Sequence, residues 1–509
     1  MAKKDEANEK LMQEILDEEV KVFLDEDNPS EAYAEYPQYN GSVAFESVMS
    51  NGFQAFLGYQ YRFRSNDKLV PDFSKLLMIT SQDLLFQRKN FVKINRRVAG
   101  SIIKGKIVYF LADENWSQVL IGKNGWKIGK SKKLKFVRSK FDEAQANPTG
   151  GGNLLLLMRK YINMDDDNFL LFVVHIVQAF SRYSSHFAAI LSSSKGTGKT
   201  TLSKVMRALI DPSEAGATLM PSSEGDLKNL LANSYMVCFD NTAALSAKVS
   251  NILCAAITGS KEAKRKLYTD CDQVILNLHN LVVLNGIDIV PYRSDLAERS
   301  LLFELQPISK AQRKTDNDFW SEFKRDRAAI MGAIFDTLAK AIQLIPSVQR
   351  KGLHRMADAN VEMIAIAMAL DISQDEFQKI LDANKTKLQE AYNQMNPFVD
   401  FVVSYMEGRP NVNMAAEALY KDMFASIIGS TKFFPDGPSA LSRKLNLEKE
   451  ALLSLGYEFS KGEKTKRNNY LIIRRIPNSR LSEKQVEAMR KRAVARNNAS
   501  IAQEEEILS

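Results

Sequence analysis

The sequence predicts an α/β protein with a parallel-sheet core, preceded by an α+β N-terminal domain and followed by a helical region and a smaller domain of helices closed by a hairpin. Three observations lead there. From Phe187 to Leu305, strand-like and helix-like stretches alternate, as strands and their covering helices do in a parallel layer. The loop Ser193 to Thr200, rich in glycine and lysine, joins an apolar run of strand length, Phe187 to Ser192, to a helical run that ends at Asp211-Pro212. Beyond Pro397, helical stretches give way to β-type residues flanking a basic turn.

Bulk composition sets the outer limits. A chain of 509 residues is too long for one hydrophobic core, and 45% hydrophobic with 26% charged residues excludes disordered, collagenous and disulfide-scaffold classes. Cys238, Cys254 and Cys271 show no CxxC spacing, so neither a zinc site nor a disulfide framework is expected, and a reducing compartment is. The N-terminal MAKKDEANEKLMQEILDEE has no apolar leader core. The most apolar run, Phe169 to Phe180, is too short for a membrane span and is interrupted by His175 and Gln178, so a cytoplasmic chain without membrane partners is expected. A net charge of +8 is modest, but Lys123 to Lys140, Lys261 to Lys266, Lys461 to Arg475 and Arg490 to Arg496 are basic clusters that favour an anionic partner.

Along the chain, residues 1–30 form an acidic arm of small structural weight that ends at Asp27-Asn28-Pro29. Residues 31–147 form the α+β domain. Within it Val43 to Met49 reads as helical, while Lys106 to Leu111, Gln118 to Ile121 and Gly125 to Ile128 read as strands, the last two joined by a turn at Asn124-Gly125. Pro148 to Gly152 is the clearest linker. Residues 153–310 form the core, 311–395 a helical region, 396–478 the helix-and-hairpin domain and 479–509 a charged tail. Asp165-Asp166-Asp167 reads as a helix start, because no histidines accompany it.

The loop residues Ser193-Ser194-Lys195-Gly196-Thr197-Gly198-Lys199-Thr200 match the phosphate-binding pattern GxxxxGK[ST], with Ser193 in place of the first glycine. Gly196 and Gly198 let backbone amides curl round phosphate oxygens, and the following helix adds its positive N-terminus. From Ser194 to Thr201 the segment is expected to hold ATP. Lys199 would bridge the β and γ phosphates and Thr200 would ligate Mg²⁺.

Such a loop requires a carboxylate on a neighbouring strand, and Tyr235 to Phe239 is an apolar run that ends at Asp240. Asn241 follows where a catalytic acid is usual. Asparagine orients water but takes no proton, which leaves Glu224 and Asp226 as substitutes. Leu281 to Leu284 ends at Asn285, in the form of a sensor for the γ phosphate or its attacking water; the plain alternative is an Asn-Gly turn. Arg293 and Arg299 both precede the strand-like Ser300 to Leu305. Either serves as an arginine finger toward a neighbouring subunit or as a surface ion pair with Asp295 or Glu298.

From the phosphate loop through FDN, ITGSKEAKRKLY and VVLNGIDI to RSDLAERSLLFEL, Asn153 to Leu305 resembles the helicase domain of phage, plasmid and poxvirus primase-helicases, the superfamily 3 helicases of the AAA+ class. The resemblance implies an AAA+ core. It also implies that Lys264, Arg265 and Lys266 lie on a hairpin projecting into a central channel, where they would grip DNA phosphates. The C-terminal domain looks like the winged helix of phage replication proteins. That likeness implies Arg443 and Lys444 on a recognition helix and Lys466 and Arg467, with Lys461 and Lys464, on the wing. Three departures stand out: Ser193, Asn241 and the lack of a recognisable upstream primase domain.

Two functions follow as expectations. The first is an ATP-dependent helicase or translocase, a hexameric ring acting on single-stranded or forked DNA during replication of a phage, plasmid or other mobile element. The second, motivated by Asn241, is a non-unwinding AAA+ ATPase serving as initiator, defence ATPase or assembly switch. A small-molecule kinase explains neither the basic hairpin nor the C-terminal domain.

Overall fold

The computed structural model describes residues 2–66, 69–131, 133–139, 141–193, 197–242, 245–265, 273–286, 294–309, 313–427, 431, 433–464 and 469–476. The chain is mixed α/β and divides into two compact units. The first comprises Met1–Ala243, Asn251–Ile289 and Arg299–Ala383, and most of the second follows Asn384.

In the first unit the N-terminal residues are not an appendage. The helix Ala2–Glu19 buries Met12, Ile15 and Leu16, and the strand Lys21–Asp25 pairs antiparallel with Ala32–Pro37 and parallel with Phe91–Val92. The acidic arm expected to contribute little therefore supplies an interior strand of a four-stranded sheet. Its apolar positions fall at helical and then alternating spacing beneath the surface charge. Val43–Ser47, expected as helix, is that sheet's edge strand, where β-branched and aromatic residues pair with Ala32–Pro37. A second antiparallel sheet orders Val98–Ser101, Lys106–Phe110, Gln118–Gly122 and Gly125–Gly129 consecutively.

The core sheet is parallel, in the order Met236–Phe239, Leu281–Asn285, Ala188–Ser192, Ser300–Glu304. The three strands preceding Ser300–Glu304 in that order are buried almost throughout, which explains why they read as continuous apolar runs and not as alternation. Asp166–Gln178 is entirely buried from Phe169 onward, with Asp165 capping its first turn through Asn168 N–H at 2.9 Å.

One helix, Asp316–Leu344, continues as a short 3-10 turn to Ser347. By length and composition it is able to cross a membrane, contrary to the expectation that no segment could, but 67% of its apolar window is buried inside the fold as a core helix is. The segment read as a linker docks on this helix. Thr149 N–H donates to Ala328 O at 3.0 Å, and a Cβ at Gly332 would lie 1.9 Å from Thr149 O, so only glycine permits the approach.

The N-terminal domain also closes the end of the loop-bearing helix Lys199–Ile210. Tyr109 Oη donates to Ile210 O at 3.1 Å, and Gln145 Nε2 donates to Ala208 O and Leu209 O at 3.1 and 2.8 Å, satisfying last-turn carbonyls that have no partner within the helix.

Glu362, fully buried, accepts from Ser181 Oγ at 2.6 Å, Gln178 Nε2 at 3.2 Å and Ile103 N–H at 3.3 Å. Burial outweighs these donors and pushes its pKa from 4.5 up to about 7. Between those values the folded chain binds more protons at this site than the unfolded chain, so the site's contribution to stability falls as pH rises. Burial pushes His175 down to about 4 and His279 to about 3, giving slopes of the opposite sign. The Glu362 part is isolated by difference. Relative to Glu362→Gln, the parent should lose roughly 1–3 kcal/mol between pH 5 and 7. Urea unfolding at stepped pH checks this, and a pH-independent difference refutes it.

The second unit packs the helices Pro397–Tyr405, Ala416–Ala425, Pro438–Leu447 and Lys449–Ser454 with a three-stranded antiparallel sheet. The sheet order is Asn411–Ala415, Asn469–Arg475, Tyr457–Lys464. A core of Phe398, Val402, Leu419, Leu441, Leu452 and Ile473 holds them together.

Candidate functional site

The strand Ala188–Ser192 runs into Ser193, and the helix Lys199–Ile210 starts immediately after Gly198, whose φ of 86° is a conformation glycine adopts without strain. Ser194, Lys195 and Gly196 lie outside the described residues. Lys199 Nζ donates to Ser193 O at 2.7 Å and to Ser193 Oγ at 3.1 Å, and the Ser193 hydroxyl also meets the Thr197 hydroxyl. The serine that departs from the glycine pattern thus places a hydroxyl where it holds both the lysine and the loop.

Three further side chains converge at the C-terminal ends of the parallel strands. Thr200 Oγ1 donates to Asp240 Oδ2 at 3.1 Å, and Asn285 Nδ2 donates to Asp240 Oδ1 at 2.7 Å. Asn285 is 2% exposed, and its backbone carbonyl accepts Thr242 N–H at 2.8 Å, which ties this strand end to the turn after Asp240. Asn241 is exposed and has φ 50°; its N–H reaches Asp240 Oδ1 at 2.8 Å. The left-handed region accommodates asparagine better than most residues, a backbone reason for this residue beside the loss of a catalytic acid. Asp226 accepts the Ser223 hydroxyl at 2.6 Å, and it and Glu224 lie in the first turn of the helix Glu224–Ala232.

Arg299 is not part of this cluster. It precedes Ser300, which is paired with Ala188 at the start of the central strand, whereas the loop leaves that strand's far end after Ser192. Four residue steps of about 3.3 Å separate the two ends, so Arg299 serves no phosphate held by its own chain's loop. Arg293 lies outside the described residues.

Beside Thr197, Gly198 and Thr201 opens a cavity of about 680 Å³, lined also by Arg159, Tyr161, Asn163, Ile308, Arg313 and Phe319. Asn163 fixes one wall by donating to Gln306 O at 2.8 Å and accepting Gln306 N–H at 2.9 Å. No sequence motif marks these residues. They come from two segments far apart in the chain, brought together where Tyr161 packs edge-on against Phe319 and Phe323 and where Lys160 and Tyr161 each donate to Asp326 at 2.8 Å.

Ser260–Arg265 and Gln273–Leu278 form an antiparallel ladder from Ser260↔Leu278 to Arg265↔Gln273. Lys264 and Arg265 lie on its first strand, though their side chains are outside the described residues, as is Lys266 altogether. At the ladder's base, Asp27 accepts from Lys261 Nζ at 2.6 Å and from Asn277 Nδ2 at 2.8 Å, tying it to the N-terminal sheet. In the second unit Arg443 is exposed on Pro438–Leu447, whereas Lys444 donates to the fully buried Glu448 at 2.7 Å. The two neighbours expected to share one surface therefore do not. Lys466 and Arg467 lie outside the described residues.

Fold and site together define a mixed α/β protein whose parallel sheet gathers a lysine, a threonine, an aspartate and an asparagine at one end, beside a cavity. Residues 154–385 match the model of a family described as the actinomycete integrative conjugative element replication protein, and this similarity supports a replication-associated protein of a mobile element. Two solved structures of the NrS-1 C-terminal region, both apo A forms, align with 91% of the chain and 98% of their own length. Their identities are 14% and 12%, and their TM-scores 0.38 and 0.36. Comparison with curated protein sequences yields no match.

Proposed function

We propose that the chain is an ATPase of the superfamily 3 type, with an AAA+ core and a C-terminal winged helix, that moves on or opens DNA during replication of a mobile element. The observation that carries this reading is the meeting of Lys199, Thr200, Asp240 and Asn285 at the strand ends, at the positive N-terminus of Lys199–Ile210. Loop amides and Lys199 bind the triphosphate, and the 680 Å³ cavity receives its nucleoside. Thr200 and Asp240 offer hard oxygens that suit magnesium, which when bound neutralises charge between the β and γ phosphates. Asn285 fixes the Asp240 carboxylate and faces the position of an attacking water. Arg299 acts across a ring, on the nucleotide of a neighbouring copy.

The strand order of the second unit, with Arg443 exposed on the helix Pro438–Leu447, supports DNA contact by that unit. One observation favours a non-unwinding switch instead: Asn241 follows Asp240 where a carboxylate would serve as base. Phosphate release with and without single-stranded or forked DNA separates the two. The motor reading expects DNA to raise turnover about tenfold or more, and Asp240→Asn to lower it by about 10²-fold or more. Turnover indifferent to every DNA, with stable ATP-bound oligomers, overturns the motor and leaves the switch.

A further inference from the structure

A second cavity, of about 430 Å³, lies at the junction of the N-terminal sheet with the parallel core, within the same compact unit. Its size falls in the lower part of the roughly 300–1,000 Å³ range of small-molecule sites. One wall comes from the N-terminal domain, with Tyr33, Glu46, Arg96 and Arg138. The other comes from the C-terminal part of the loop-bearing helix, with Arg207 and Asp211, and from the outer edge of the strand Met236–Phe239.

The hydrogen-bonding capacity of this lining is lopsided. Each of its carboxylates already accepts. Asp211 takes Arg97 Nε at 2.9 Å and Met236 N–H at 3.3 Å, Asp142 takes Ser139 N–H and Oγ at 2.8 and 2.7 Å, and Glu46 takes the Ser50 and Tyr36 hydroxyls at 2.6 and 3.1 Å. The donors are not used up. Arg207, 8% exposed, gives one terminal nitrogen to Met236 O and pairs with Asp211 at 3.3 Å, but its Nε is buried with no hydrogen-bond partner, and Arg138, exposed at the rim, makes no hydrogen bond or ion pair with any described residue. Arg96 directs one guanidinium nitrogen at Ala232 O and Asn233 Oδ1, leaving the rest of its fork. Open donors outnumber open acceptors, of which Glu46 Oε1 is one, and this balance calls for a ligand rich in acceptor oxygens, with guanidinium forks matching phosphate best. Phe141, 53% exposed on the cavity's edge, offers a face for a planar group.

We propose that this junction cavity binds an organic phosphate of mononucleotide size. Arg207 and Arg138 hold the phosphate, and with Arg96 and the Asp211-bound Arg97 the arginines exceed the carboxylates Glu46, Asp142 and Asp211 by one charge, against the partial negative charge at the end of the helix Lys199–Ile210. That helix carries Arg207 about 12 Å from Lys199 along its axis, so an occupant bears on the element that starts at the phosphate loop.

The test is calorimetric titration of the full chain with AMP and, separately, with inorganic phosphate, all in a Lys199→Ala background that silences the loop. AMP is expected to bind, and phosphate to bind more weakly. Two substitutions at exposed positions, Arg138→Glu and Ala215→Trp, should each weaken AMP about tenfold or more, while Arg138→Lys weakens it less. AMP affinity within threefold of the background in either variant overturns the site. So does AMP binding that appears only when Lys199 is intact, or no binding at all. Phosphate binding without AMP binding overturns the organic ligand class.

Discussion

Lys199→Ala should reduce ATP turnover by about 10²–10³-fold and leave the fold intact. The rate loss follows from position. Lys199 opens the helix after the loop, next to Thr200, and its ammonium ends 2.7 Å from Ser193 O. On the proposed ATPase reading, charge developing on phosphoryl oxygens there would be met by a preorganised cation, and removal of one such donor elsewhere costs about this much. Stability should hold because the side chain is half-buried and opens the helix at the edge of the core, away from its buried face. Phosphate release at saturating Mg-ATP, with melting curves recorded with and without ATP, checks both halves. Parent-like turnover, or an undiminished ATP-dependent rise in Tm, would remove the basis of the ATPase reading.

That prediction was legible in the sequence because the loop's chemistry is local. Eight consecutive residues between an apolar run and a helical run suffice to specify it, and Asp240 and Asn285 follow because each ends an apolar stretch of strand length. The cavity beside the loop was illegible for the opposite reason. Tyr161 and Phe319 acquire a role only when a turn and a helix more than a hundred residues apart pack together, and nothing periodic announces it. The N-terminal arm misled through its charge. Counting acidic residues hid Ile15, Leu16, Val22 and Leu24, whose spacing changes from helical to alternating within one short stretch. Lys444 misled through its neighbour: Arg443 and Lys444 read as one basic patch, but adjacent helical positions point about 100° apart, and Glu448 one turn on draws the lysine inward.

Arg97→Ala should destabilise the chain by about 3–5 kcal/mol, among the largest effects expected of any single substitution outside the loop cluster. Arg97 is 1% exposed and sits where the N-terminal domain meets the end of the loop-bearing helix. Its Nε donates to Asp211 at 2.9 Å, and its terminal nitrogens reach Pro212 O at 3.0 Å and Phe110 O and Glu143 O at 3.3 Å. Alanine leaves those carbonyls without this donor and the buried Asp211 with only Arg207, at 3.3 Å, as a charged partner. Lysine should rescue little, because one ammonium cannot span four acceptors fixed for a planar fork. The pH dependence identifies the cause. Burial alone would raise the Asp211 pKa, but Arg207 and Arg97 together hold it below the usual aspartate range. The stabilisation from this ionised carboxylate is therefore complete at neutral pH and is lost as pH falls through that depressed value. The penalty of Arg97→Ala should accordingly be largest near pH 7 and shrink as pH falls below the usual aspartate value, as measured by urea unfolding stepped from pH 7 to about pH 2. A penalty below about 1 kcal/mol at pH 7, or one that grows in acid, would show that the junction is not held by this ion pair.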